Sequence, residues 1–79
     1  MTRCDQILWI CVHCSPKRVS HVAERLNLAK SYIWRRFELL RDKGLMHEGT
    51  KPTQAGIEYI TNLERNLRAA GLWVDVPGG

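Results

Sequence analysis

Apolar side chains return every three or four positions along most of this chain, and the breaks in that rhythm divide it into helical pieces. Cys4, Ile7, Cys11 and Cys14 form one stripe at helical spacing, and Leu8, Trp9 and Val12 widen the apolar surface. The pattern predicts a helix over about 4–14, buried on more than one side, which Pro16 prevents from continuing. Val19 reads as a lone strand residue before Ser20, an N-cap. A two-turn helix then runs to about Leu26 with Val22, Ala23 and Leu26 inward, and Asn27 ends it in a left-handed conformation. The third helix spans about Lys30 to Gly44, and Ile33, Phe37 and Leu40 at i, i+4 and i+7 give it a core face. Opposite them fall Ser31, Arg35, Glu38 and Asp42, flanked by Trp34 and Tyr32. Leu45 to His47 has room for one short strand, Gly49 to Lys51 for a turn, and Pro52-Thr53 for a stub of returning edge strand. Thr53 caps a last helix of about Gln54 to Ala70 with Ile57, Ile60, Leu63 and Leu67 as its stripe and Gly71 at its end. The expected fold is mainly α with a small β-hairpin wing.

Length and charge narrow the classes. Seventy-nine residues make one domain over 1–79, and a chain of this size buries only roughly 60% of its unfolded surface, so a second subunit would add stability. A composition 44% hydrophobic and 25% charged is that of a folded protein, and a formal charge of +4 favours a polyanionic partner. The longest apolar run, Ile7 to Val12, falls far short of the ~20 residues that span a bilayer. With no secretory signal at the start, a cytoplasmic protein with reduced thiols is expected from three cysteines, an odd number.

The run VSHVAERLNLAKSYIWRRFELLRDKGLMHEGTKPTQAG, residues 19–56, resembles a winged helix-turn-helix domain. Val19, Ala23-Glu24-Arg25-Leu26, Gly44-Leu45 and Thr53-Gln54-Ala55-Gly56 occupy the places of the family's strand residue, first helix, wing opening and entry to the next helix. In size and layout the whole chain is similar to small winged-helix transcription regulators of bacteria, archaea and archaeal viruses, of the MarR, ArsR and PadR kind. The resemblance implies a winged helix-turn-helix with a long C-terminal helix and a DNA-binding transcription regulator, a role that a homodimer also fits. It sets Ser31, Tyr32 and Arg35 on the front half of the recognition helix.

Residue chemistry agrees with that expectation. A helix that offers hydrogen-bonding and cationic groups on one face while the other is anchored in the core fits the major groove, where Arg35 can bind guanine O6 and N7 bidentately. Lys30, Arg36 and Lys51 are placed to meet phosphates, which fix register without reading sequence. Trp34 on the same helix can pack on a sugar or a thymine methyl, although a large aromatic more often covers a core edge or an interface. The plainer reading of this face is a solvated charged surface in which Glu38 pairs with Arg35 or Arg41. A rival class is a protein-interaction module presenting Tyr32, Trp34 and Leu39.

The remaining chemistry points to structure. Cys11-Val12-His13-Cys14, with Cys4 nearby, carries a C-x-x-C spacing that a metal- or redox-responsive regulator could use. The cysteines share the buried stripe, however, and no second pair completes a tetrahedral zinc site. No metal or cofactor is expected. No phosphate loop, activated nucleophile or paired carboxylates appear, so a non-enzyme is expected. His21 and His47 are isolated surface residues. Leu8, Trp9 and Val12 of the first helix, Leu63 and Leu67 of the last, and Trp73 of the tail are left over for a dimer interface.

Overall fold

Five consecutive residues, Ile7, Leu8, Trp9, Ile10 and Cys11, are buried in the first helix, a pattern possible only where protein surrounds a helix on all sides. The computed structural model describes residues 2–71. Within them lie α1 (Arg3–Cys14), α2 (Val19–Leu26), α3 (Lys30–Asp42) and α4 (Gln54–Ala69). α1 packs against each of the other three, α2 also against α3, and α4 rests on α1 alone among the described helices. α1 is thus the central post, with the α2–α3 pair on one side and α4 on another.

The local signals explain most boundaries. Thr2 opens α1 with a capping box, its hydroxyl accepting from the Asp5 N–H while the Asp5 carboxylate accepts from the Thr2 N–H. Asn27 closes α2 at φ 55°, and its N–H reaches the Glu24 carbonyl at 3.2 Å. Thr53 caps α4 by accepting from the Gly56 N–H at 3.0 Å. Ile33, Phe37 and Leu40 are buried as their spacing requires, and burial of side chains this large contributes roughly 1.5–3 kcal/mol each.

Val19 is corrected. It is the first residue of α2 and buried, not a strand residue, and the extended N-cap is Arg18, with Ser20 already inside the helix. The helix thus starts two residues earlier than a Ser20 cap would set it, and Val19 lies in the apolar core.

The β-hairpin wing is also corrected: the described residues contain no strand, and so the winged architecture is not formed. Between α3 and α4 there is a single antiparallel bridge, Met46 to Pro52, flanked by His47 N–H to Lys51 carbonyl at 2.8 Å and Thr53 N–H to Leu45 carbonyl at 3.1 Å. The reason lies at both ends of the loop. The Leu45 N–H is taken by the Leu40 carbonyl at 2.9 Å, finishing α3, and Thr53 is taken by its role as the α4 cap. Two helix ends use the groups that would have extended the ladder.

α4 approaches this loop closely through Gly56. A Cβ there would stand 2.1 Å from the Leu45 carbonyl oxygen and 3.4 Å from Leu8 Cδ1. Gly56 and Ile60 are therefore the buried residues of α4, whereas Ile57, expected on the inner stripe, is 37% exposed. Polar ties fasten the rest. The Tyr59 hydroxyl donates to Asp5 Oδ1 at 2.7 Å, Trp9 Nε1 donates to Glu64 Oε1 at 2.7 Å, and His13 Nε2 lies 2.6 Å from the same oxygen.

These contacts overturn the expectation that Leu8 and Trp9 are spare. Leu8 is fully buried and Trp9 is buried against His13 and Glu64, because α4 covers the second face of α1 within the same chain. Val12 is half-buried, packed on the core. Among the described residues no helix is long and apolar enough to cross a membrane.

Candidate nucleic-acid interface

α2 and α3 are joined by Asn27, Leu28 and Ala29, a connection so short that the start of α3 is fixed by the end of α2. The Leu28 N–H bonds the Ala23 carbonyl at 3.0 Å, and the Ile33 N–H bonds the Ala29 carbonyl at 3.2 Å. Leu26 and Leu28 pack against the core on either side of Asn27, which makes the left-handed turn between them. The outer face of α3 is thereby held at a set angle to the body by apolar contacts behind it.

On that face Lys30, Ser31, Trp34, Arg35, Glu38 and Leu39 are exposed. No ion pair joins Arg35 or Arg41 to Glu38 among the described residues. The Arg35–Glu38 and Arg41–Glu38 pairings expected of a self-neutralised face are therefore not formed, and Arg35 is exposed. Tyr32 and Arg36 stand apart from this group. Tyr32 is half-buried against the core, and the Arg36 guanidinium lies 4.8 Å from its ring centroid. Hydrogen bonding and charge from Tyr32, with a smaller contribution from Cys4, raise the Arg36 pKa further above its ordinary value. Tyr32 and Arg36 form a rim unit rather than part of the exposed row.

Trp34 is 45% exposed, so it does not close a core edge. It borders a concavity of about 330 Å³ whose other walls include Lys17, Arg18, Ser20, Lys30 and Thr50. Lys51 lies around the corner, beside a second concavity that Lys17 also lines. Lys17 and Arg18, which the sequence reading did not single out, line the same concavity as Lys30 and Trp34. The adjacent basic pair ahead of α2 was the available signal, but only the folded chain brings residues 17–20, Lys30, Trp34, Gly49 and Thr50 to one surface.

Comparison with protein-family models, curated proteins and solved structures gives no match.

The cysteine motif does not assemble a ligand set. Cys11 is buried and Cys4 and Cys14 half-buried, and no group of three or more His, Cys, Asp or Glu side chains among the described residues could hold a metal ion. Burial, and secondarily the neighbouring Cys14, pushes the Cys11 thiol from 9.0 up to about 12. It is therefore kept as the protonated thiol, a poor metal ligand and a poor nucleophile.

Of the residues expected at a dimer interface, Leu63 packs against the core and Leu67 is half-buried in the last turn of α4. Trp73 lies outside the described residues. The pairings Asp5 with Tyr59 and His13 with Glu64 advance in the same sense along both helices. α4 consequently continues past its last hydrogen bond to α1 by about one turn, where Leu67 sits.

Proposed function

We propose that the protein is a transcription regulator that binds double-stranded DNA with sequence preference, inserting α3 into the major groove. The observation that carries this reading is the exposed row Ser31, Trp34 and Arg35 directly behind which Ile33, Phe37 and Leu40 are buried. A helix so anchored presents hydrogen-bonding groups on a backbone already ordered before binding, so only the side chains remain to be fixed. Ser31 and Arg35 read base edges, while Lys30 and Lys51 contact phosphates. The protein works in the cytoplasm as a homodimer, paired through the last turn of α4 and its exposed flank. Twofold pairing sets two α3 helices about 34 Å apart to read a near-palindromic site.

Titration of specific and scrambled duplexes tests the reading. Arg35→Ala costs about 1–3 kcal/mol on the specific duplex, at one base position, and much less on the scrambled one, whereas Lys51→Ala weakens both alike. Equal losses on both duplexes for Arg35→Ala would remove Arg35 from base reading. For the dimer, sedimentation equilibrium at micromolar concentration gives twice the chain mass, and Leu67→Glu, which spares the core cluster, gives the monomer. A monomeric wild type would end that part of the proposal.

One observation favours a second reading. Leu39 is 43% exposed and Trp34 45% exposed on the two flanks of the outer face of α3, apolar surface that a protein partner could cover. Failure of every duplex in a random pool to be enriched would favour it over DNA.

A further inference from the structure

Three separate stretches of chain converge beside the N-terminal half of α3. Lys17, Arg18 and Ser20 come from the α1–α2 connection and the start of α2, Lys30 and Trp34 from α3, and Gly49 and Thr50 from the α3–α4 loop. No carboxylate lines the concavity they enclose, so its three cations are not neutralised by its own walls. The two loops involved are tied together, because the Thr50 hydroxyl donates to the Pro16 carbonyl. That bond sits between the concavity and its neighbour, where Lys17 faces Thr50 and Lys51. The cations are thus mounted on joined segments rather than on free loops. Lys17, Arg18 and Lys30 are exposed, and Trp34 adds an apolar wall at 45% exposure.

Cations around a shallow recess with one aromatic wall match a phosphodiester backbone. The charged groups meet successive phosphate oxygens and the indole covers the sugar between them. A base-reading site would instead need acceptors and donors aimed inward, and the walls supply mainly charge. We propose that this surface, formed by Lys17, Arg18, Lys30 and Trp34 and held in shape by the Thr50–Pro16 hydrogen bond, grips the sugar–phosphate backbone of the strand flanking the α3 contact. The proposal rests on the DNA-binding reading given above. It assigns to Lys17 and Arg18 a positioning role that is independent of sequence.

Counterion release gives the test a number. Each phosphate neutralised on B-DNA contributes about 0.9 to the slope of log affinity against log salt. Removing two contacts should therefore lower the slope by about 1.8, making binding about 12-fold less sensitive to a change from 50 to 200 mM salt. Affinity for a duplex selected from a random pool, and for a scrambled duplex, is measured across salt for the wild type, Lys17→Ala/Arg18→Ala and Arg3→Ala/Lys43→Ala. The last variant removes the same charge from exposed positions outside this surface. The expected result is a slope lowered by about 1.8 on both duplexes for the first pair, with the preference between duplexes retained and little change for the second pair.

Equal slope reductions for the two pairs would show diffuse attraction and overturn the proposal, as would an unchanged slope in Lys17→Ala/Arg18→Ala while the wild type still prefers the selected duplex. A wild type that binds no duplex even at low salt overturns this proposal together with the DNA reading, so the two failures are distinct. Thr50→Val keeps every cation and removes the tie between the loops. It is expected to weaken both duplexes alike, and unchanged binding would discard the tie as part of the site.

Discussion

Replacing Gly56 with alanine tests whether α4 is held where the loop and the central helix require it. A Cβ at this position would stand 2.1 Å from the Leu45 carbonyl oxygen, against the 3.0 Å below which real side chains essentially never approach. The obstacle is backbone, and it is pinned, since the same oxygen accepts from the Thr53 N–H at 3.1 Å. Relief requires the start of α4 to move outward by about 1 Å. That movement loosens Ile60 and Leu8 and stretches the Tyr59–Asp5 hydrogen bond at 2.7 Å. Overpacking of this kind costs about 1–3 kcal/mol, and each stretched hydrogen bond about 0.5–1.5 kcal/mol. Alanine returns about 1 kcal/mol through its better helix propensity. The net is a destabilisation of about 2 kcal/mol, against a total of roughly 4–12 kcal/mol for a domain of this size. Thermal unfolding followed by far-ultraviolet circular dichroism should show Tm lower by about 8–16 °C. If Gly56 were only a glycine in a helix, the same substitution would raise Tm by several degrees. An unchanged or raised Tm would therefore refute the close-approach argument.

Two other predictions follow from the α1 side of the molecule. The hydrogen bond to Asp5, and then burial, raise the Tyr59 pKa from 10.0 to about 12. Its contribution to stability is thus complete below pH 10.0 and lost as pH climbs to about 12; Tyr59→Phe should flatten the fall of Tm across that window, and an identical fall in both proteins would count against the tie. Cys11, pushed up to about 12 by burial, should be alkylated at pH 8 far more slowly than half-buried Cys4 or Cys14, and comparable rates measured by mass spectrometry would contradict its place in the core.

The sequence by itself determined the helices, most of their ends and the inner face of α3. These depend on neighbours within a few positions. Ile33, Phe37 and Leu40 share a face because the helix repeats every 3.6 residues, and Asn27, Gly44 and Thr53 act on the backbone beside them. The exposed row of Ser31, Trp34 and Arg35 was legible for the same reason. What the tertiary structure decided was every question of which element faces which. Leu8 and Trp9 looked spare because nothing local to α1 reveals that α4 returns to cover them. Ile57 and Gly56 changed places because the packing distance to Leu45, not the apolar period, chose the inner side of α4. The wing stops at one bridge because Leu45 and Thr53 spend one backbone group on each other and the other on a helix end, the Leu45 N–H on Leu40 of α3 and the Thr53 carbonyl on Ile57 of α4. Lys17 and Arg18 meet Lys30 and Trp34 only because α2 packs on α3, and the Thr50–Pro16 hydrogen bond adds the α3–α4 loop to the same surface. Periodicity specifies the face of an element, whereas the partner of that face is set by competition among distant groups for the same carbonyls and the same volume.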